Sequence, residues 1–235
     1  MRFASFRSLL AVSVCLLGNG CSKGITRATA ATVLFVKGDV VFGQTERNQF
    51  QPVTAKSKIR GGDIVQTPDG ATIDLALVPG AFLRLSENSE IKIEELSLTK
   101  DGNETAGGML DRRAGVRLRR GRVSILFSRS DTSGSHFALA TNQTIISPDS
   151  DCLFSVWTEG STTRATCGRG ELSGIGDGQT PVRIVTGYFY QWPTAAKEPL
   201  AATAQGDAQM DIMASLEAEE ELLHQAARWQ NRRVF

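Results

Sequence analysis

Between residues 31 and 192 apolar and polar positions alternate in short runs broken by glycine. Ile73, Leu75 and Leu77 fall on one side of an extended chain, with Thr72 and Asp74 on the other, and Leu83 and Leu85 repeat the pattern. A period of two is that of a strand with one face buried. Strands are predicted at 32–36, 39–42, 71–78, 81–85, 90–94, 117–126, 136–141, 153–158, 162–167 and 182–190. Turn residues stand between them, as Gly61-Gly62, Pro68-Asp69-Gly70, Pro79-Gly80, Asp101-Gly102-Asn103, Glu159-Gly160 and Asp177-Gly178. The polar stretches 100–108 and 128–135 read as exposed loops. So many short strands at this spacing predict an all-β fold, as a sandwich, a barrel or a short solenoid.

The pattern changes after Trp192-Pro193. Residues 193–206 are rich in alanine and contain Pro199, the composition of a linker. Beyond it Asp207 can start a helix running to about Arg232. Ile212, Leu216, Leu223 and Ala227 lie near one narrow stripe of that helix, with Met213 beside it. Glu217, Glu219, Glu220 and Glu221 precede Arg228, Arg232 and Arg233, the order that the helix dipole favours. A helix with so narrow a stripe must pack on the β-region, pair with another helix, or stay marginal in water.

At the other end, Arg2 and Arg7 precede an apolar run from Leu9 to Leu17, and small residues lead directly to Cys21. The run is about half of the roughly 20 residues that a membrane-crossing helix needs, so cleavage is expected rather than spanning. The layout resembles a bacterial lipoprotein signal, with Gly20 before the cysteine, and Gly18 where such signals usually carry leucine. That resemblance implies acylation of Cys21, an N-terminal lipid anchor and, with Ser22 next, the outer membrane; the alternative is ordinary secretion with cleavage near Ala28 or Ala30. The expected organisation is therefore a leader at 1–20, a tether at 21–30, a β-domain at 31–192, a linker at 193–206 and a C-terminal helix at 207–235.

Loss of Arg2 and Arg7 with the leader changes 26 basic against 25 acidic residues to 24 against 25. Charge so balanced argues against a general nucleic-acid binder. Of four cysteines, Cys15 leaves with the leader and Cys21 is the acylation candidate, so Cys152 and Cys167 remain as a pair in an oxidising compartment. With a two-residue turn at Glu159-Gly160, position 152 falls opposite 167, within the reach of a disulfide. Two reduced thiols packed as small apolar groups are the alternative.

In order along the β-region, several elements are similar to those of the FecR domain family. Gly38-Asp39-Val40 resembles its early V-x-G-x-V, and Gly61-Gly62-Asp63-Ile64-Val65-Gln66-Thr67 its G-D-x-V-x-T. Pro79-Gly80-Ala81-Phe82-Leu83-Arg84-Leu85 resembles D-G-S-x-L-x-L, and Ser89-Glu90-Ile91-Lys92-Ile93 resembles the strand after it. Leu118-Arg119-Arg120-Gly121-Arg122-Val123 matches L-x-x-G-x-V, and Phe137-Ala138-Leu139-Ala140-Thr141 matches F-x-V-x-T-P except that Asn142 stands for the proline. Phe154-Ser155-Val156 and Gly170-Glu171-Leu172 close the series, while Ser150-Asp151-Cys152 replaces the usual R-G-T. The resemblance covers residues 31–175 and implies a two-sheet β-solenoid or sandwich outside the cytoplasm. It does not extend to the anti-sigma and membrane segments of FecR regulators, so a sigma-factor role is not implied.

Candidate chemistry is sparse. His136 and His224 have no second ligand at metal spacing, so no metal or other cofactor is expected. Ser133, Ser135 and His136 lie together without a nucleophile elbow. Glu94-Glu95 and Asp149-Asp151 are carboxylate pairs of the type a glycosidase needs. Arg112, Arg113, Arg117, Arg119, Arg120 and Arg122 crowd eleven residues and form either a basic interaction patch or a solvated face that guards a sheet edge. Tyr188, Phe189, Tyr190 and Trp192 suit a sugar-stacking surface or a core edge. The expectation is a non-catalytic binding or scaffold lipoprotein of the cell envelope with a protein partner there and no catalytic residue. Its alternatives are an extracytoplasmic signalling regulator acting through a separate membrane partner, and a carbohydrate-active enzyme.

Overall fold

The computed structural model describes residues 24–44, 49–102, 108–129, 133–176, 180–194 and 196–231. The leader, Cys21, Arg232 and Arg233 lie outside them. Among the described residues the chain is mostly β, in eighteen strands numbered in chain order and followed by one α-helix, α1 (Gly206–Asn231).

Two sheets share one strand. The first runs β4 (Gln49–Pro52), β3 (Val41–Gln44), β6 (Ile64–Thr67), β9 (Ser89–Lys100), β10 (Met109–Phe127), β11 (Gly134–Ala140), β12 (Thr144–Pro148), β15 (Glu171–Gly176) and β16 (Val182–Val185). β1 (Ile25–Ala28) pairs with the far end of β9. The second runs β5 (Lys58–Arg60), β2 (Ala30–Lys37), β7 (Thr72–Val78), β8 (Ala81–Leu85), β10, β13 (Cys152–Glu159), β14 (Thr162–Arg169), β17 (Tyr188–Trp192) and β18 (Leu200–Ala201). β10 joins the first sheet through its pairing with β9 up to Arg120, and the second from Gly121 onward. Gly121, at φ +86°, is the point of transfer. Each sheet stays open at its ends.

The alternation seen in the sequence builds the core between the sheets. Ile73, Leu75, Leu83, Leu85, Val123, Ile125, Phe154 and Val156 of the second sheet face Val65, Ile91, Ile93, Val116, Leu118, Leu139 and Ile146 of the first, all fully buried. The stretch 182–190 is two strands rather than one, because the chain turns at Gly187, at φ +83°, and passes to the other sheet. The expected linker carries β18 and a short 3-10 turn at Ala202–Ala204.

The helix contradicts the stripe read from its apolar residues. Leu216, Leu223 and Met213 are 44, 51 and 62% exposed, Ala227 is exposed, and Ile212 is only partly buried. The face laid on the second sheet is Ala208, Asp211, Ser215, Ala218, Leu222 and Ala226, none more than 6% exposed. Small residues let the backbones approach: a Cβ on Gly168 of β14 would sit 2.9 Å from Ser215 Oγ. Ala218, Leu222 and Ala226 cover Ala76, Phe82, Leu126 and Leu153, while Ala208 packs with Phe189 and Ala202.

Candidate functional site

The outer face of the second sheet is polar where a lone sheet would be wetted, and the helix supplies the partners. Arg122, Trp157 and Arg164 stand in register on β10, β13 and β14. Arg164 is 4% exposed; its Nε donates to Asp211 Oδ2 at 2.7 Å and its Nη1 lies 3.6 Å from Asp207 Oδ2. Arg122 Nη2 approaches the other oxygen of Asp211 at 2.9 Å. The Arg164 guanidinium also lies 5.1 Å from the ring centre of Trp157, a cation–π contact.

Two further arginines continue the clamp. Arg84 of β8 donates from Nε and Nη2 to the two oxygens of Asp74 on β7, both at 2.7 Å, and from Nη2 to Glu221 of the helix. Burial works to lower the Arg84 pKa but is outweighed by its bonds and charges with Asp74, then with Glu221, so the guanidinium is raised above its ordinary value. Arg169 of β14 meets Glu219 at 2.5 Å. The arginines of this face thus each hold an acid of the helix, which fixes where the helix sits and leaves Met213, Leu216 and Leu223 pointing outward.

The arginine run of β10 does not form a bare basic patch. Arg112 donates to Ser135 Oγ at 2.7 Å and to the Pro79 carbonyl at 2.6 Å, and burial lowers its pKa. Arg113 pairs with Asp111 at 2.8 Å, Arg117 with Glu94 at 2.7 Å and Arg119 with Glu90 at 3.0 Å. Arg120 reaches Glu90 only at 3.9 Å, and Arg122 belongs to the helix clamp. Most of the run is thus paired: Asp111 comes from β10 itself, while Glu90 and Glu94 come from β9, which the linear sequence keeps more than twenty residues away.

Cys152 and Cys167 are free, buried thiols of the core, and the Cys167 thiol donates to the Arg169 and Gly170 carbonyls at 3.5 and 3.4 Å. Their mutual interaction, then burial, raises the Cys152 thiol above its ordinary pKa, while the same interaction lowers Cys167. The register that would place them opposite each other is not the one formed. Glu159 pairs with Thr162, so the turn is Gly160-Ser161, and Cys167 faces Phe154. Gly160, at φ +56°, occupies the first loop position, where a type II′ hairpin turn needs glycine. An irregularity between Leu153 and Phe154 then shifts the strand end.

The other candidates have structural partners. Glu94 is bonded to Arg117 and Glu95 accepts from Ser97 Oγ at 2.7 Å; Asp149 accepts from Ser173 and Asp151 from the Arg129 amide. His136 is 62% exposed, 3.3 Å from Asp111, and Ser135 is engaged by Arg112. His224 is exposed on the helix. Phe189, Tyr190 and Trp192 are buried, leaving Tyr188 exposed, so this cluster is a core edge. The clamp residues Asp74, Arg84, Arg164 and Asp211 were not singled out by sequence reasoning. The available sign was a lone charge in mid-strand at Asp74, Arg84 and Arg164, where a solvated strand offers no reason for one.

No protein-family model matches the chain, and no curated protein matches it. Among solved structures, two crystal structures of a "putative anti-sigma factor" from Parabacteroides distasonis ATCC 8503 are similar to it. One is 14% identical with a TM-score of 0.42, over 61% of this chain and 65% of that chain. The other is 15% identical with a TM-score of 0.40, over 61% and 64%. The chain therefore spans just under two thirds of the length of the structures it matches.

Proposed function

We propose that this chain is a non-catalytic protein-binding lipoprotein of the bacterial cell envelope, built on a FecR-like β-fold and anchored through Cys21. The observation that carries the binding reading is the helix: clamped to the sheet by ion pairs, it displays Met213, Leu216 and Leu223 to the outside, where a partner gains by covering them. The envelope and the anchor rest on the leader and on the FecR-like order of motifs. None of the described helices is long and apolar enough to cross a membrane.

In-cell crosslinking of the tagged protein, followed by identification of what it captures, tests the binding reading. A defined envelope protein is the expected capture. If crosslinking returns none, and polysaccharide turnover appears that one carboxylate substitution abolishes, the chain is an enzyme instead. Capture of an inner-membrane regulator specifically favours the signalling alternative. The anchor has its own check, since an alkyne fatty acid supplied to cells should label the wild type and not Cys21→Ser. An unlabelled wild type recovered as a freely soluble protein removes the lipid. A single chain would bind a membrane only marginally, whereas several hold firmly.

In such an oxidising compartment the buried thiols of Cys152 and Cys167, which stand near the ends of neighbouring strands β13 and β14 away from their shared turn, are proposed to close into a disulfide. The bridge would close a loop of about 15 residues and contribute on the order of 3 kcal/mol. Thiol counting on denatured protein purified from the envelope should then find neither cysteine reactive. Two reactive thiols, with a melting temperature indifferent to reductant, would leave the pair as core packing alone.

A further inference from the structure

The binding surface on α1 has a composition that selects its partner. Met213, Leu216 and Leu223 lie along one line of the helix, with Met210 at its margin, and all four are 44 to 62% exposed. Glu220 falls on the same line between Leu216 and Leu223, and Glu217 borders it; both are exposed, with no ion pair among the described residues. The acids that dock the helix, Asp207, Asp211, Glu219 and Glu221, are a different set and already hold arginines.

From this arrangement we infer that the outward row of α1 is a docking surface for an amphipathic helix of another protein, one with an apolar row flanked by lysine or arginine. The inference rests on the protein-binding reading and names its partner's chemistry. A carboxylate in the middle of an apolar row is costly to cover unless the covering surface brings a cation to it. That requirement weighs against the two other occupants of such a row. In a second copy docked antiparallel about the middle of the row, Glu220 would meet its own equivalent, and like charges repel. On a bilayer, Glu217 and Glu220 would face anionic headgroups. A basic helix places apolar side chains on Leu216 and Leu223 and a cation on Glu220, with Glu217 as a second contact. The methionines add adaptable contact area at the end of the row nearer the helix start.

The test uses the full chain and two synthetic helical peptides of about 20 residues, with identical leucine rows and either lysine or glutamate flanks. Fluorescence anisotropy should show the lysine peptide binding at least about tenfold more tightly than the glutamate peptide, and more weakly as salt rises. Glu220→Lys should invert that preference. Leu216→Glu combined with Leu223→Glu should abolish binding of the lysine peptide; circular dichroism and thermal melting of these exposed-site variants verify that the fold is kept. Equal binding of the two peptides, or binding indifferent to the double variant, overturns the inference. So does sedimentation showing a dimer that the double variant dissociates, or co-flotation with phosphatidylglycerol vesicles that it abolishes. If both peptides fail while crosslinking still captures an envelope protein, this inference falls and the protein-binding reading stands.

Discussion

Asp211→Ala is expected to destabilise the chain by about 3–5 kcal/mol, the range for removing one partner of a buried ion pair. Asp211 is fully buried and is held by Arg164 at 2.7 Å and Arg122 at 2.9 Å. Arg122, 29% exposed on its side chain, can turn to water when the carboxylate goes. Arg164, at 4%, cannot, and its charge is left inside with only Trp157 and the exposed Asp207 nearby. Substituting both partners, as Arg164→Met with Asp211→Leu, should recover most of the loss, because an apolar pair of similar volume needs no desolvation of charge. Urea unfolding followed by circular dichroism compares the three proteins. A loss below about 1 kcal/mol for Asp211→Ala, the size of a surface ion pair, would mean that the helix is held by its apolar contacts alone.

Gly121→Ala should cost about 3 kcal/mol or more, through two effects that add. At φ +86° a side chain adopts a backbone conformation that costs on the order of 1–3 kcal/mol. Its Cβ would also lie 2.1 Å from Ser89 Oγ and 2.6 Å from Ser89 Cα, so a buried strand must move, with an overpacking cost of about 1–3 kcal/mol. Ser89 has little freedom to give way. Its hydroxyl accepts from the Arg122 amide at 2.9 Å and donates to the Glu87 carbonyl at 2.8 Å, across the point where β10 leaves one sheet for the other. Gly70→Ala makes an informative control: φ is +67° there but nothing lies within 4 Å of the added Cβ. Equal losses at both positions in thermal and urea unfolding would show that backbone strain, not the crowding at the crossover, sets the cost at Gly121.

How much of this was legible differs between the sheets and the helix. Along the strands, alternation with a period of two placed Ile73, Leu75, Leu77, Leu83 and Leu85 on one face, and all are buried. An all-β fold with a terminal helix follows from that pattern and from its glycine punctuation. Register did not follow. Cys167 stands across from Phe154 rather than Cys152, because the hairpin turns at Gly160-Ser161, a matter of one residue in turn position that composition does not resolve. The arginines of β10 likewise read as one positive run until Glu90 and Glu94 of β9 are brought beside Arg119 and Arg117.

What the sequence determined by itself is therefore the local and periodic part: the strands with a clear alternation and their inward faces, glycine turns and the existence of the helix, because each depends on residues a few positions apart; β1, β4, β5, β6, β12, β15 and β18 were not among the strands it predicted. What only the tertiary structure decided is which face of that helix is used. By apolarity alone Leu216, Leu223 and Met213 should be covered, yet the docked face centres on Asp211, Ser215 and Ala218. The reason lies in strands far off in sequence. Arg84, Arg122, Arg164 and Arg169 reach the outer face of the second sheet beside Phe82, Leu126 and Leu153, and that surface is complementary only to a helix face of acids and small residues. A buried charge is stable only with its partner. The pairing of distant charges, which no periodicity encodes, turned the apolar row outward.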